Sequence, residues 1–215
     1  QAEDGIRDSV ASRGLGDVYK RQSHTLSSKV IHWSFVLLYG YGIVKQIDDL
    51  SQLEDTGLLL FEVMFASVFL ILVIMRYLYM RRFETFLGAR EPVPIVHTYL
   101  AKTVHAGMYL CLILLPLSGL MIAGLFTQGH TNEEGFVLGL VLGVHGFSAD
   151  LSYVLIAIHV GAALYSRLKG DGIWASMVPV LKDTGPTNNS FIKTITSTEE
   201  KIYAKAEQFF ASKKQ

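Results

Sequence analysis

The chain has 215 residues, half of them apolar, and its 19 basic and 19 acidic side chains leave no formal net charge. The charges gather at the ends and in the loops while long stretches carry almost none, which is the composition of a membrane protein. No basic stripe with interleaved aromatics occurs, so nucleic acid is excluded as a partner. A single cysteine, Cys111, excludes an internal disulfide, an iron–sulfur cluster and a structural zinc site.

In chain order, residues 1–22 have no hydrophobic period and no signal-peptide core. Residues 1–8 and 12–22 read as the in-frame translation of sequencing-library adapters, with Ser9-Val10-Ala11 in the place of a sample index. The natural protein is therefore expected to begin near Ser23. Four apolar spans follow at about 29–46, 57–79, 98–126 and 136–168, and residues 181–215 form a polar tail. The first span is short and framed by Lys29 and Lys45. The second is interrupted only by Glu62 and Arg76. An open sheet cannot satisfy its backbone in lipid, so the spans are read as helices. The expected fold is all-α, an integral membrane four-helix up-and-down bundle over residues 23–180. Within the tail, residues 198–213 are expected to form an amphipathic helix with Ile202, Ala206, Phe209 and Phe210 on one side, solvated or on the membrane surface.

Loop charges set the orientation. The stretch from Arg76 to Lys102, around the loop that joins the second and third spans, holds Arg76, Arg81, Arg82, Arg90 and Lys102, and Arg167, Lys169 and Lys182 lie at or beyond the end of the fourth. The opposite loops hold Asp48, Asp49, Glu54, Asp55, Glu133 and Glu134 against Lys45 alone. The positive-inside rule then places the middle loop and both termini in the cytoplasm.

Ionisable groups at membrane depth are costly and ask for a reason. Of the seven histidines, His24 and His130 read as surface residues and His97 as interfacial or capping. His32, His105, His145 and His159 lie within spans. His145 and His159 are fourteen residues apart, about 21 Å of helical rise and a rotation about 40° short of four turns, so they share a face. His32, His105 and His159 fall in one layer near the basic side, and His145 lies in the other half. Neutral imidazoles layered this way suit axial ligation of haem iron inside a dry bundle.

These residues resemble the bacterial cytochrome b-561 family, related to the membrane cytochrome b subunits of nickel–iron hydrogenases and formate dehydrogenases. The matching motifs are Ile31-His32-Trp33, the Arg76 end of the second span, His105-Ala106-Gly107-Met108-Tyr109, Leu115-Pro116-Leu117-Ser118-Gly119, His145 with His159, Gly161-Ala162-Ala163, Lys169-Gly170-Asp171-Gly172 and Met177-Val178-Pro179. The resemblance implies haem b, with iron held on the cytoplasmic side by His32 and His159. It implies a second haem on His145, whose family partner position is here Glu62, a poor haem ligand, so the second haem stays open.

Arg76, Lys102 and Arg167 are candidates for haem propionates or a quinone head group, or are positive-inside anchors. His105 is a candidate for proton exchange with quinone or for core packing. Asp150 is placed to orient His145 or to face a wet cleft. The expected function is electron transfer between quinone or quinol and a redox partner in a respiratory chain, the partner being a small oxidant such as superoxide or a soluble redox subunit. The alternative is a haem-poor membrane anchor docking a soluble dehydrogenase or hydrogenase. The bilayer, quinone, a soluble subunit and a second copy of the chain are the partners expected.

Overall fold

The computed structural model describes residues 24–47, 49–82, 86, 89–181 and 185–212, with side chains as far as 209, and every regular element among them is helical. The adapter-like residues 1–22 lie outside these, as do Asp48, Lys182 and the side chain of Phe210. Helix α1 is Leu26–Val44, followed by a 3-10 turn at Leu50–Glu54. Then come α2 (Thr56–Met80), α3 (Ile95–Thr127), α4 (Phe136–Lys169), the short α5 (Ile173–Met177) and α6 (Ser190–Ser212).

Helices α2, α3 and α4 have the length and apolarity needed to cross a membrane. Helix α1 forms where the first span is expected, but its 19 residues rise only about 28 Å, and it falls short of the other three. Local chemistry fixes the ends. The Asp49 carboxylate accepts from the Ser51 N–H at 2.7 Å, which starts the 3-10 turn and holds that carboxyl below its usual range. Asp55 caps α2 by accepting from the Gly57 N–H at 2.8 Å. Gly129 and Gly170 follow α3 and α4 with φ of 84° and 76°, a left-handed conformation that glycine adopts without a Cβ penalty. Helix α3 continues through Pro116, which has no N–H to offer the Leu112 carbonyl.

The chain divides into two compact units. One comprises the described residues of Val30–Arg82 and Thr103–His159. Its core has two clusters. Phe35, Phe69, Val73 and Leu112 join α1, α2 and α3, while Leu53, Ile122, Leu138 and Val141 join the 3-10 turn, α3 and α4. Small residues let α3 and α4 approach, since a Cβ on Gly107 would meet Leu155 at 2.9 Å. Large apolar side chains such as Leu60, Met64, Ile71, Leu110, Phe147 and Val154 point outward. The polar side chains buried within this unit are serines, Ser118, Ser148 and Ser152, and the Tyr39 hydroxyl reaches Ser152 Oγ at 2.6 Å.

The other unit comprises the described residues of Gln1–Lys29, Phe83–Lys102 and Val160–Gln215. His24, read above as a surface residue, is buried here, and His130 in the first unit is exposed as expected. Asp171 organises the turn after α4, accepting from Ser166 Oγ at 2.5 Å and from the Ile173 N–H at 3.1 Å. The Arg90 N–H donates to the Asp171 carbonyl at 2.8 Å, and its guanidinium donates to the Gly170 carbonyl.

Helix α6 starts earlier than the sequence suggests, at Ser190, and docks through carboxylates. Glu199 accepts from the Tyr165 hydroxyl at 2.9 Å and pairs with His97 at 3.6 Å and Lys169 at 3.7 Å. Glu207 accepts from the Ile95 N–H at 2.9 Å, satisfying an otherwise open donor at the start of α3. Burial, then the Glu199 carboxylate, pushes the Tyr203 phenol above its usual range. Phe191, Ile195, Ile202 and Phe209 remain exposed, and Ala206 is half-buried.

Candidate functional site

The candidate residues His32, Glu62, Arg76, His105, His145 and His159 all belong to the first unit. The hairpin of α3 and α4 brings four polar side chains into two pairs. Ser118 and His145 each lie nine residues from the hairpin end of their helix, while His105 and His159 lie twenty-two and twenty-three residues from theirs. Antiparallel helices with equal rise must set such positions level.

The pairs form. The rings of His105 and His159 meet edge to face with centroids 5.0 Å apart. Ser118 Oγ lies 2.9 Å from His145 Nδ1, and Gly119 packs close beside the same ring, a Cβ there standing 3.7 Å from its Cε1.

Arg76 lies within electrostatic reach of His159. Its guanidinium sits over the rings of Phe35 (5.7 Å) and Tyr109 (6.0 Å). Its Nη1 is buried with no hydrogen-bond partner among the described residues. His105, His159 and Arg76 thus form one polar group in apolar surroundings. His32 packs its ring edge to face on Trp33 at 5.8 Å, with Nδ1 buried.

Glu62 forms an ion pair with Lys45, whose ammonium also lies 4.5 Å from the centroid of Phe65 and 5.5 Å from that of Phe61. The second carboxylate oxygen of Glu62, Oε1, is buried without a hydrogen-bond partner among the described residues. Lys45, one of the residues that frame the first span, is thus the partner found for Glu62. Asp150 is exposed, and the side chain that holds His145 Nδ1 is Ser118. Sequence reasoning passed over Ser118 because a serine in an apolar run reads as packing. The signal was its distance from the hairpin, equal to that of His145. Lys102 is exposed, and Arg167 donates to the Leu181 carbonyl at 2.9 Å and lies over Trp174. Both belong to the other unit.

These residues fit a haem. The group needs neutral imidazoles in apolar walls and a cation for its propionates. The structure supplies half-buried imidazoles and, in Arg76, a guanidinium with an N–H still to be satisfied. Among the described residues no cluster of three or more His, Cys, Asp or Glu stands ready for a bare metal ion.

Apolar helices of spanning length, with histidines paired inside, define a helical membrane protein of the b-type cytochrome class. The chain belongs to the prokaryotic cytochrome b561 family, whose model matches residues 23–180. Comparison with curated proteins and with solved structures finds no match. Membership makes the chain a membrane b-type cytochrome of electron transfer and implies that it binds haem b.

Proposed function

We propose that this chain crosses the bacterial inner membrane four times as an up-and-down bundle, with α1 as the first span and both termini cytoplasmic. It passes electrons between quinone or quinol and a redox partner of the respiratory chain. The observation that carries this reading is the group of His105, His159 and Arg76 on helices apolar enough to lie in lipid. Haem b, when bound, supplies a one-electron couple whose potential follows from its axial ligands and its burial.

His159 and His32 are the residues that would hold that group on the cytoplasmic side. Arg76, with a buried N–H still to be satisfied, would be the cation for its propionates, and Phe35 and Tyr109 cover the guanidinium. His105, edge-on to His159, fixes the plane of that ring, and its own nitrogen takes or gives the proton that accompanies quinone chemistry. The small-residue packing of α3 on α4 sets the two rings at their depth.

The test is a reduced-minus-oxidised spectrum of the purified protein with a pyridine haemochrome count. The expected result is a b-type spectrum with at least one haem per chain, reducible by a quinol. Protein without haem, or haem that no quinol reduces, overturns the reading. One observation favours a second reading. Glu62, at the position where the family places a ligand to the other haem, is engaged by Lys45. A haem-poor membrane anchor docking a soluble dehydrogenase or hydrogenase subunit is then the competing function. A haem count well below one per chain supports it.

A further inference from the structure

Ser118 has one hydroxyl hydrogen and three polar neighbours. Its Oγ lies 2.6 Å from the Leu114 carbonyl, 3.0 Å from the Leu115 carbonyl and 2.9 Å from His145 Nδ1. The carbonyls accept only, so the hydroxyl hydrogen belongs to them. A 2.9 Å approach of oxygen to Nδ1 is attractive only if a hydrogen lies between the two atoms. That hydrogen must come from the imidazole. Ser118 is almost wholly buried, at 3% exposure, so water does not compete for these positions.

We infer that Ser118 is a positioning residue that fixes His145 as its Nδ1–H tautomer and so presents the Nε2 lone pair to haem iron, in the half of α4 nearer Phe136. This rests on the reading that the chain binds haem b. Outer partners of this kind orient a ligating imidazole and raise its basicity, and their removal typically costs about 10–100-fold in affinity for the metal group. Gly119, against the Cε1 edge of the ring, leaves the approach to Nε2 free of a side chain on that residue. The sequence motif Leu115-Pro116-Leu117-Ser118-Gly119 thereby gains a task beyond bending a helix. Pro116 withholds one donor, Ser118 supplies a hydroxyl where the ring arrives, and Gly119 gives it room.

The experiment compares wild type, Ser118→Ala, Ser118→Thr, Ser118→Cys and His145→Ala in detergent-purified protein. Haem is counted by pyridine haemochrome, the midpoint potential of each haem is followed by optical titration, and helix content confirms folding. The expected result has three parts. His145→Ala loses a haem that wild type holds. Ser118→Ala retains that haem about 10–100-fold less tightly, with a shifted potential, while the haem that depends on His159 is unmoved. Ser118→Thr restores wild-type behaviour. Ser118→Cys, of similar volume but a weak acceptor, falls between, which guards against a folding defect in the alanine variant. An unchanged haem count and potentials in Ser118→Ala, or an unchanged count in His145→Ala, overturns the inference and leaves the functional reading standing. Wild type with no haem at all overturns both.

Discussion

The two histidines of α4 share a helix and a face, yet they meet different company. His145 is met by the hydroxyl of Ser118, an acceptor toward it. His159 is met by a second imidazole and lies near a guanidinium. Spacing along one helix determines which way side chains point, but the register of the neighbouring helix determines what they find. The first setting fixes a hydrogen on one nitrogen. The second supplies a proton-exchanging neighbour and a positive charge. If both hold haem, the difference predicts two groups with unlike potentials, the one near Arg76 raised by the nearby charge.

The comparison is broken most completely by His159→Ala. Loss of about one haem equivalent is expected, with lower thermal stability, because an axial ligand and the ring packed against His105 go together. A haemochrome count unchanged from wild type removes His159 from the ligand set. Next comes Arg76→Ala, which deletes a charge-assisted donor contributing about 1.5–3 kcal/mol, or about tenfold or more in haem retention. Arg76→Lys keeps the charge without the planar fork and should fall between. Redox titration should show the potential of the His159-side haem falling in Arg76→Ala and staying near that of wild type in Arg76→Lys, with that of the His145-side haem staying put in both.

Charged pairs extend the contrast. The Lys45–Glu62 side chains are only 15% and 19% exposed, so Glu62→Gln strands an ammonium in apolar surroundings. Breaking a fully buried pair costs about 3–5 kcal/mol, and partial exposure reduces this to about 1–2. Thermal unfolding in detergent should show that loss, and Lys45→Met combined with Glu62→Leu should recover most of it. The smallest effect is expected of Glu199→Gln. Its partners His97 and Lys169 are 29% and 30% exposed, and such pairs contribute under about 1 kcal/mol each. Limited proteolysis should cut within α6 a few-fold faster while the haem spectrum stays unchanged.

Much of this was legible in the sequence. Bare apolar runs bounded by charges locate α2, α3 and α4, because lipid leaves the backbone no other partner. The pairing of His105 with His159 was legible in principle as well, through equal distance from the α3–α4 turn. The salt bridge from Lys45 to Glu62 was not, since it depends on how the end of α1 lies against α2 and on two phenylalanine faces that receive the ammonium. Nor was the burial of His24, or the seat of α6 on Glu199. Both need the chain to fold back on itself, and local pattern carries no trace of that. The short first helix marks the same limit, because residue count alone leaves 19 residues on the margin of a bilayer.

The buried serines invert the usual map of tolerance. Ser118, Ser148 and Ser152 in one unit, and Ser28, Ser166 and Ser176 in the other, occupy the interior, while many large apolar side chains such as Leu60, Ile71 and Phe147 face outward. A saturation library of this chain should therefore sort by volume before polarity. Swaps among large aliphatics on the outer faces should pass nearly unnoticed. One added methylene at Ser148, whose neighbours leave it 1% of its surface, should exclude the variant from the folded pool.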